Sequence, residues 1–240
     1  MAADRRLRLL GRLVQPDEPA VDTARLCRVC AELTGTTGAG IMVFGEGGSQ
    51  GSLGSSDSVS SLIEELQFTL GEGPCIDASR DGHPVLEPDL GAPADTGRWI
   101  AFAPPAVAGG ARAVFGFPLR VGTAGLGALN LYRDRPGPLT DDQYADALVL
   151  ADLAGELVLL TQAGAPPGEL AMELAVNAGL HAVVHQASGM VSVQMGVRVE
   201  EALVRLRAYA FRTGIPLLDV ARSVVRRSLR FGPDGKVVEP

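Results

Sequence analysis

Between residues 163 and 168 the chain reads "AGAPPG". Two prolines and two glycines in six residues remove backbone donors and favour conformations that a helix cannot continue through. Helical periodicity stands on both sides, so the break reads as a boundary between two modules. The charge changes sign across it. Residues 1–175 hold 12 Arg against 23 Asp and Glu, a balance of −11; residues 176–231 hold 8 Arg against 3, a balance of +5. The last nine residues add −1, giving −7 for the chain. An acidic front and a basic back predict different partners, and the back is the place to seek a polyanion.

The 240 residues are 46% hydrophobic, enough for one large core or two smaller ones. Aromatics make up only 5%, so Ala, Val and Leu must supply the packing. The start, "MAADRRLRLLGRL", has four arginines but no long apolar run or cleavage site, and no signal peptide is expected. No uncharged apolar stretch reaches the roughly 18 residues of a membrane span. Three cysteines predict no disulfide framework and a reducing cytoplasm.

In the front module, "VDTARLCRVCAELTG" has helical spacing and "AGIMVFG" reads as a buried strand. "GSLGSSD" reads as a weak partner strand or turn. "SVSSLIEELQFTLGEGPC" predicts a capped helix and a sharp stop. "HPVLEPDL" predicts a short edge strand, because Pro84 and Pro88 would rob a central strand of donors. "RAVFGFPLRVGTAGLGALNLYR" gives two strands around a turn, and a long helix follows from Thr140 to Thr161. This order predicts an α+β module, an antiparallel sheet with helices packed around it. A stripe through Leu148, Val149, Asp152, Leu153, Glu156, Leu157 and Leu160 suggests pairing of two chains into a homodimer.

The back module predicts three helices, from about Glu169 to Met195, Val199 to Arg212 and Pro216 to Arg230, making a small bundle. Leu203, Leu206 and Ala210 form a core stripe, while Arg205, Tyr209 and Arg212 share another face. On the third helix Asp219, Arg222, Arg226 and Arg230 share a face off the apolar stripe. Arginine forks can bond phosphate or stack on bases, and aromatic rings cover the unstacked bases of RNA loops.

The stretch "HQASGMVSVQMGVRVEEALVRLRAYAFRTGIPLLDVARSVV" resembles an ANTAR domain, an RNA-binding antitermination module. The matching elements are "QASG" at 186–189, "MGV" at 195–197, "EEALVRLRAYAFRTG" at 200–214 and "PLLDVARSVV" at 216–225. The resemblance implies binding of paired stem-loops in a nascent transcript, which keeps a terminator from forming. Gln186, Ser188, Arg205, Tyr209, Arg212, Arg222 and Arg226 are the candidate RNA contacts. The family often has a basic residue where Ser188 stands and a capping residue where Arg198 stands.

Residues from about Asp22 to Thr161 resemble a GAF domain, a small-ligand sensor fold, through "GEGPC" at 71–75, Arg98–Trp99 and "FGFPLRVGTAGLGALNLYR". The resemblance implies an unidentified small ligand; an "NKFDE"-like motif is absent from the sequence, which argues against a cyclic nucleotide. Cys27 and Cys30 fall on an apolar helix face and read as core, as does Cys75. His83 reads as structural or exposed rather than as a haem ligand; His181 and His185 are one turn apart without a third ligand, so no metal site is expected. The boundaries expected are a tail at 1–20, a sensor at 21–162, a linker at 163–168, an RNA-binding module at 169–231 and a tail at 232–240. The expectation is a non-enzymatic, cytoplasmic antitermination regulator without a membrane partner. A DNA-binding regulator, because a basic three-helix bundle can imitate a helix-turn-helix, and a thiol redox enzyme are the alternatives.

Overall fold

The computed structural model describes residues 2–13, 23–45, 48–92, 98–122, 124–164, 183–232 and 237–238. Five strands form one antiparallel sheet in the order β2-β1-β5-β4-β3: β1 Gly38–Gly45, β2 Gly48–Ser55, β3 Val85–Glu87, β4 Ala113–Val121 and β5 Ala124–Arg133. β3 takes the edge, as its flanking prolines predict. Side chains alternate between the two faces. Ile41, Phe115, Phe117, Leu129 and Leu131 point to one face, where α1 (Ala2–Leu13), α2 (Thr23–Thr34) and α6 (Asp141–Gly164) share their core. The opposite face carries α3 (Ser58–Leu70) and α4 (Pro74–Asp81), and α5 (Ala103–Ala108) packs on α3.

The capping signals translate directly. Asp57 accepts from the backbone N–H groups of Val59 and Ser60, both at 2.9 Å, and starts α3. Thr140 and Gln143 cap α6 reciprocally: Gln143 N donates to Thr140 Oγ1 at 3.3 Å and Thr140 N donates to Gln143 Oε1 at 2.9 Å. α6 reaches Gly164, inside the expected linker; residues 165–168 lie outside the described residues.

Three readings change. The start of the chain, expected as a tail, holds α1, whose Leu9 and Leu13 enter the core. Its Arg5, Arg6 and Arg8 pair with Asp142, Glu156 and Asp146 of α6 at 2.6, 2.6 and 2.9 Å. The stripe offered for a homodimer is thereby occupied in part within the chain: Leu153 is 2% exposed and Glu156 is held by Arg6, while Leu148 stays 37% exposed. The side chains of Leu157 and Leu160 lie outside the described residues. Second, "GPC" does not only end a helix; Pro74 sits in the first turn of α4, where its missing N–H costs nothing.

The third change is in the back module. A helix over 183–195 (α7), α8 (Val199–Thr213) and α9 (Leu217–Val225) pack around Ala187, Val191, Leu206, Val220 and Val224. The residues expected to begin the first helix, 169–182, lie outside the described residues. The third helix stops five residues short of Arg230. Arg227 turns left-handed at φ 62°, and Ser228 and Leu229 donate back to the Ser223 carbonyl at 2.9 and 3.2 Å. Leu229 and Phe231 then fold back into the core, and β6 (Arg230–Phe231) pairs with β7 (Val237–Val238). So Arg230 is on a strand, and the expected C-terminal tail contains one too. Arg198 stands at the start of α8 with no side-chain cap bond, as the sequence predicts.

The back bundle's core does not stop at the bundle. Met42 of β1, Ala128 of β5, Phe68 of α3 and Cys75 of α4 belong to the same buried cluster.

Candidate functional site

The second face of the sheet is polar at its centre. Asn130 of β5 is 0% exposed, and its neighbours in register are Gly40 on β1 and Gly116 on β4. A Cβ at Gly40 would strike the Glu64 carboxylate, and one at Gly116 would meet the Pro74 carbonyl at 2.6 Å. These glycines therefore let α3 and α4 lie close against the strands. Glu64 and Gln67 of α3 are both buried there, one turn apart. Ser52 donates to Glu64 Oε2, and Gln67 Oε1 accepts from the Cys75 N–H at 2.7 Å. Glu64 Oε1, Gln67 Nε2 and both amide atoms of Asn130 have no protein partner. Buried polar groups are almost always bonded, so three such side chains on one face mark a place built for something polar. Burial pushes the Glu64 carboxyl up to about 8, against the Ser52 hydrogen bond, so the group is largely neutral at pH 7.

The sequence reading missed all three. A signal was present: Glu64 and Gln67 sit among Ser60, Ile63 and Phe68 on the buried side of α3, and Asn130 interrupts the apolar run "ALNLY". The "RW" pair has another role. The Trp99 Nε1–H and Arg98 guanidinium donate to Asp77 at 2.9 and 3.1 Å, while Glu72 accepts from the N–H groups of Ala101 and Phe102. These bonds pin residues 98–102 beside α4.

The two halves meet at the end of α3. Arg207 of α8 donates to the Phe68 carbonyl at 2.7 Å, one of the last α3 carbonyls that the helix itself leaves open. The cation also sits at the negative end of the helix dipole. Gly71, left-handed at φ 68°, leaves room for it; a Cβ there would lie 2.5 Å from the guanidinium. Burial lowers the Arg207 pKa to about 10, and the side chain stays charged at neutral pH.

The arginine candidates separate into groups. Arg205, Tyr209 and Arg212 are brought to one face of α8, where Arg212 lies 5.4 Å from the centroid of the Tyr209 ring. Arg222 and Arg226 are exposed on α9 and do not line the cleft formed by the α8 trio; Arg222 pairs with Asp219 at 3.1 Å. Gln186 is exposed on α7. Ser188 is corrected: it is 0% exposed, and its hydroxyl donates to the Val184 carbonyl of its own helix at 2.8 Å. Its small hydroxyl, satisfied locally, lets α7 pack, and it presents nothing to an outside partner.

Cys27, Cys30 and Cys75 are buried and form no disulfide with one another. Burial pushes the Cys30 thiol up to about 12 and raises Cys75 as well, so neither supplies a thiolate at neutral pH. His83 is exposed; His185 is on α7, and His181 lies outside the described residues. Among the described residues no group of three His, Cys, Asp or Glu could hold a metal ion, and no helix is long and apolar enough to cross a membrane.

Comparison with known proteins agrees with this division. A GAF domain match covers residues 23–158, and an ANTAR domain match covers residues 178–225. The chain belongs to the GAF family and carries an ANTAR domain after the GAF domain, the architecture of a GAF–ANTAR regulator. No curated protein matches it. Among solved structures, the GAF domain of an Acinetobacter phosphoenolpyruvate-protein phosphotransferase is 11% identical, with a TM-score of 0.50 over 68% of this chain and 96% of that one. The corresponding domain from Coxiella burnetii is 13% identical, with a TM-score of 0.49 over 67% and 96%. A type II free methionine-R-sulfoxide reductase from Thermoplasma acidophilum is 18% identical, with a TM-score of 0.44 over 57% and 91%. At such identities the likeness is one of fold.

Proposed function

We propose that this protein is a cytoplasmic, non-enzymatic regulator that binds stem-loop RNA through its ANTAR domain and prevents terminator formation, under control of its GAF domain. The observation that carries the reading is the trio on one face of α8, within the ANTAR match: Arg205 and Arg212 exposed, with the half-buried Tyr209 between them. Arg222, Arg226 and Gln186 extend it as separate phosphate or sugar contacts. The test is titration of a labelled tandem hairpin against the full chain, with duplex DNA as competitor. Affinity should fall with salt by nearly one log unit per log unit of salt for each neutralised phosphate. Preference for the duplex DNA would replace this reading with a DNA-binding one.

The sensing site in this reading is the Glu64, Gln67 and Asn130 cluster, which suits a small ligand offering both donors and acceptors. α3 carries Glu64 and Gln67 along its length and the Arg207 contact at its end. A ligand that shifts α3 would therefore move α8, which holds the RNA trio. The reading includes a homodimer through the helices that flank the boundary, where Leu148 of α6 is exposed, and Phe211 (68% exposed) and Val204 of α8 offer a second apolar surface. Sedimentation of the full chain and of Phe211→Ser tests it; a wild type that stays monomeric at high micromolar concentration removes the dimer.

A further inference from the structure

Beside the arginines of α8 lies a cleft of about 160 Å³, lined by Arg205, Ala208, Tyr209, Arg212, Phe231 and Val237. Four of these come from α8. Phe231 and Val237 come from the β6–β7 hairpin, beyond residue 225, where the ANTAR match ends. The hairpin is not loosely attached. The Phe231 N–H donates to Gln194 Oε1 of α7 at 3.0 Å, and its ring meets Tyr209 edge-on, with centroids 5.7 Å apart and planes at 73°. The result is an aromatic corner with a guanidinium on either side of its mouth.

We propose that this cleft holds one unstacked base from the loop of an RNA hairpin, that Arg205 and Arg212 choose it, and that Phe231 is a positioning residue that holds the Tyr209 ring in place beside it. The inference deepens the RNA-binding reading and rests on it. The chemistry of the lining selects the ligand. The half-buried Tyr209 ring and the small, exposed Ala208 accept a flat heterocycle, with the buried Phe231 ring packed against Tyr209 behind them, and base–aromatic stacking is indifferent to sequence. Arg205 and Arg212 offer donors only, so the base they keep presents acceptors at its edge. Arg205 is engaged by Glu201 at 3.3 Å, but both are half-exposed, and such a pair exchanges readily for a better acceptor. At roughly 30 Å³ per water, the cleft has room for about five waters. That is room for one base. A base inside a duplex cannot enter, so the cleft reads loops.

The experiment is selection from a hairpin library with a fixed stem and a randomised loop, using the full chain and its Phe231→Leu variant. Leucine keeps the apolar bulk in a core position that is 4% exposed, and circular dichroism confirms that both proteins are folded. Wild type should enrich loops sharing one invariant base, and substituting that base should weaken binding roughly tenfold. Phe231→Leu and Tyr209→Leu should lose the enrichment at that position while still binding the stem. The inference is overturned if Phe231→Leu selects the same base with the same preference, or if wild type enriches no loop base while binding the hairpins. If wild type binds no hairpin at all, the RNA reading itself falls, and this inference with it.

Discussion

At the scale of the residue, two buried polar side chains on the sheet work against the stability of their own fold. Glu64 holds its proton to about 8 in the fold but only to 4.5 when exposed. The folded state thus binds the proton more tightly. Its contribution is fully present below pH 4.5, declines between 4.5 and 8, and is gone above that. Glu64→Gln keeps the shape without the ionisation, and should gain on wild type by about 3 kcal/mol at pH 7. That advantage should grow toward pH 8 and vanish below pH 4.5, as urea unfolding across the pH range will reveal. Asn130 poses the same conflict without charge. Replacing a buried, unpaired amide by an apolar group of similar size removes a penalty of about 1–3 kcal/mol. Asn130→Val should therefore raise the melting temperature while abolishing any ligand-induced shift in it. A loss of stability would mean that the amide is satisfied after all, and would remove Asn130 from the sensing site.

At the scale of the element, the structure marks where sequence patterns carry and where they fail. The edge position of β3 was legible because proline chemistry allows few alternatives. The capped starts of α3 and α6 were legible because Asp57 and Thr140 bond the backbone locally. The end of α9 was not. Arg222, Arg226 and Arg230 keep helical spacing in the sequence, but Arg227 takes a left-handed conformation that arginine does not advertise. What settles it is tertiary: Leu229 and Phe231 have a core to return to. Likewise α1 looks like a basic tail until its arginines meet the acids of α6, about 135 to 150 residues away in sequence. The shared face of Arg205, Tyr209 and Arg212 was legible because i, i+4, i+7 spacing needs no tertiary knowledge. Ser188 was misplaced because a buried serine that bonds its own helix looks the same in sequence as an exposed one. The αL strain gives a direct check. Arg227→Gly should stabilise the chain by about 1 kcal/mol, read as a rise in the thermal midpoint; a fall would mean that the side chain, rather than the backbone, matters at that turn.

At the scale of the whole molecule, the sign change in charge divides partners more cleanly than it divides structure. Met42, Phe68, Cys75 and Ala128 bury against the ANTAR helices, and Arg207 closes the end of α3. A protease site placed within residues 163–168 should therefore cut the chain without separating it. The two fragments should co-elute on size exclusion. Arg207→Ala, which takes away the hydrogen bond to the Phe68 carbonyl, should let them part at lower urea concentration than wild type. Immediate separation of the wild-type fragments would show that the shared core does not hold the halves together in solution.

The β6–β7 hairpin has a consequence for how the ANTAR domain is delimited here. Shared ancestry is visible only to residue 225, yet Leu229 and Phe231 fill the bundle behind it. A border drawn by kinship thus cuts through an interior. This chain trimmed at that border would lose two side chains from its own interior, so the residues past 225 are part of what holds the bundle closed.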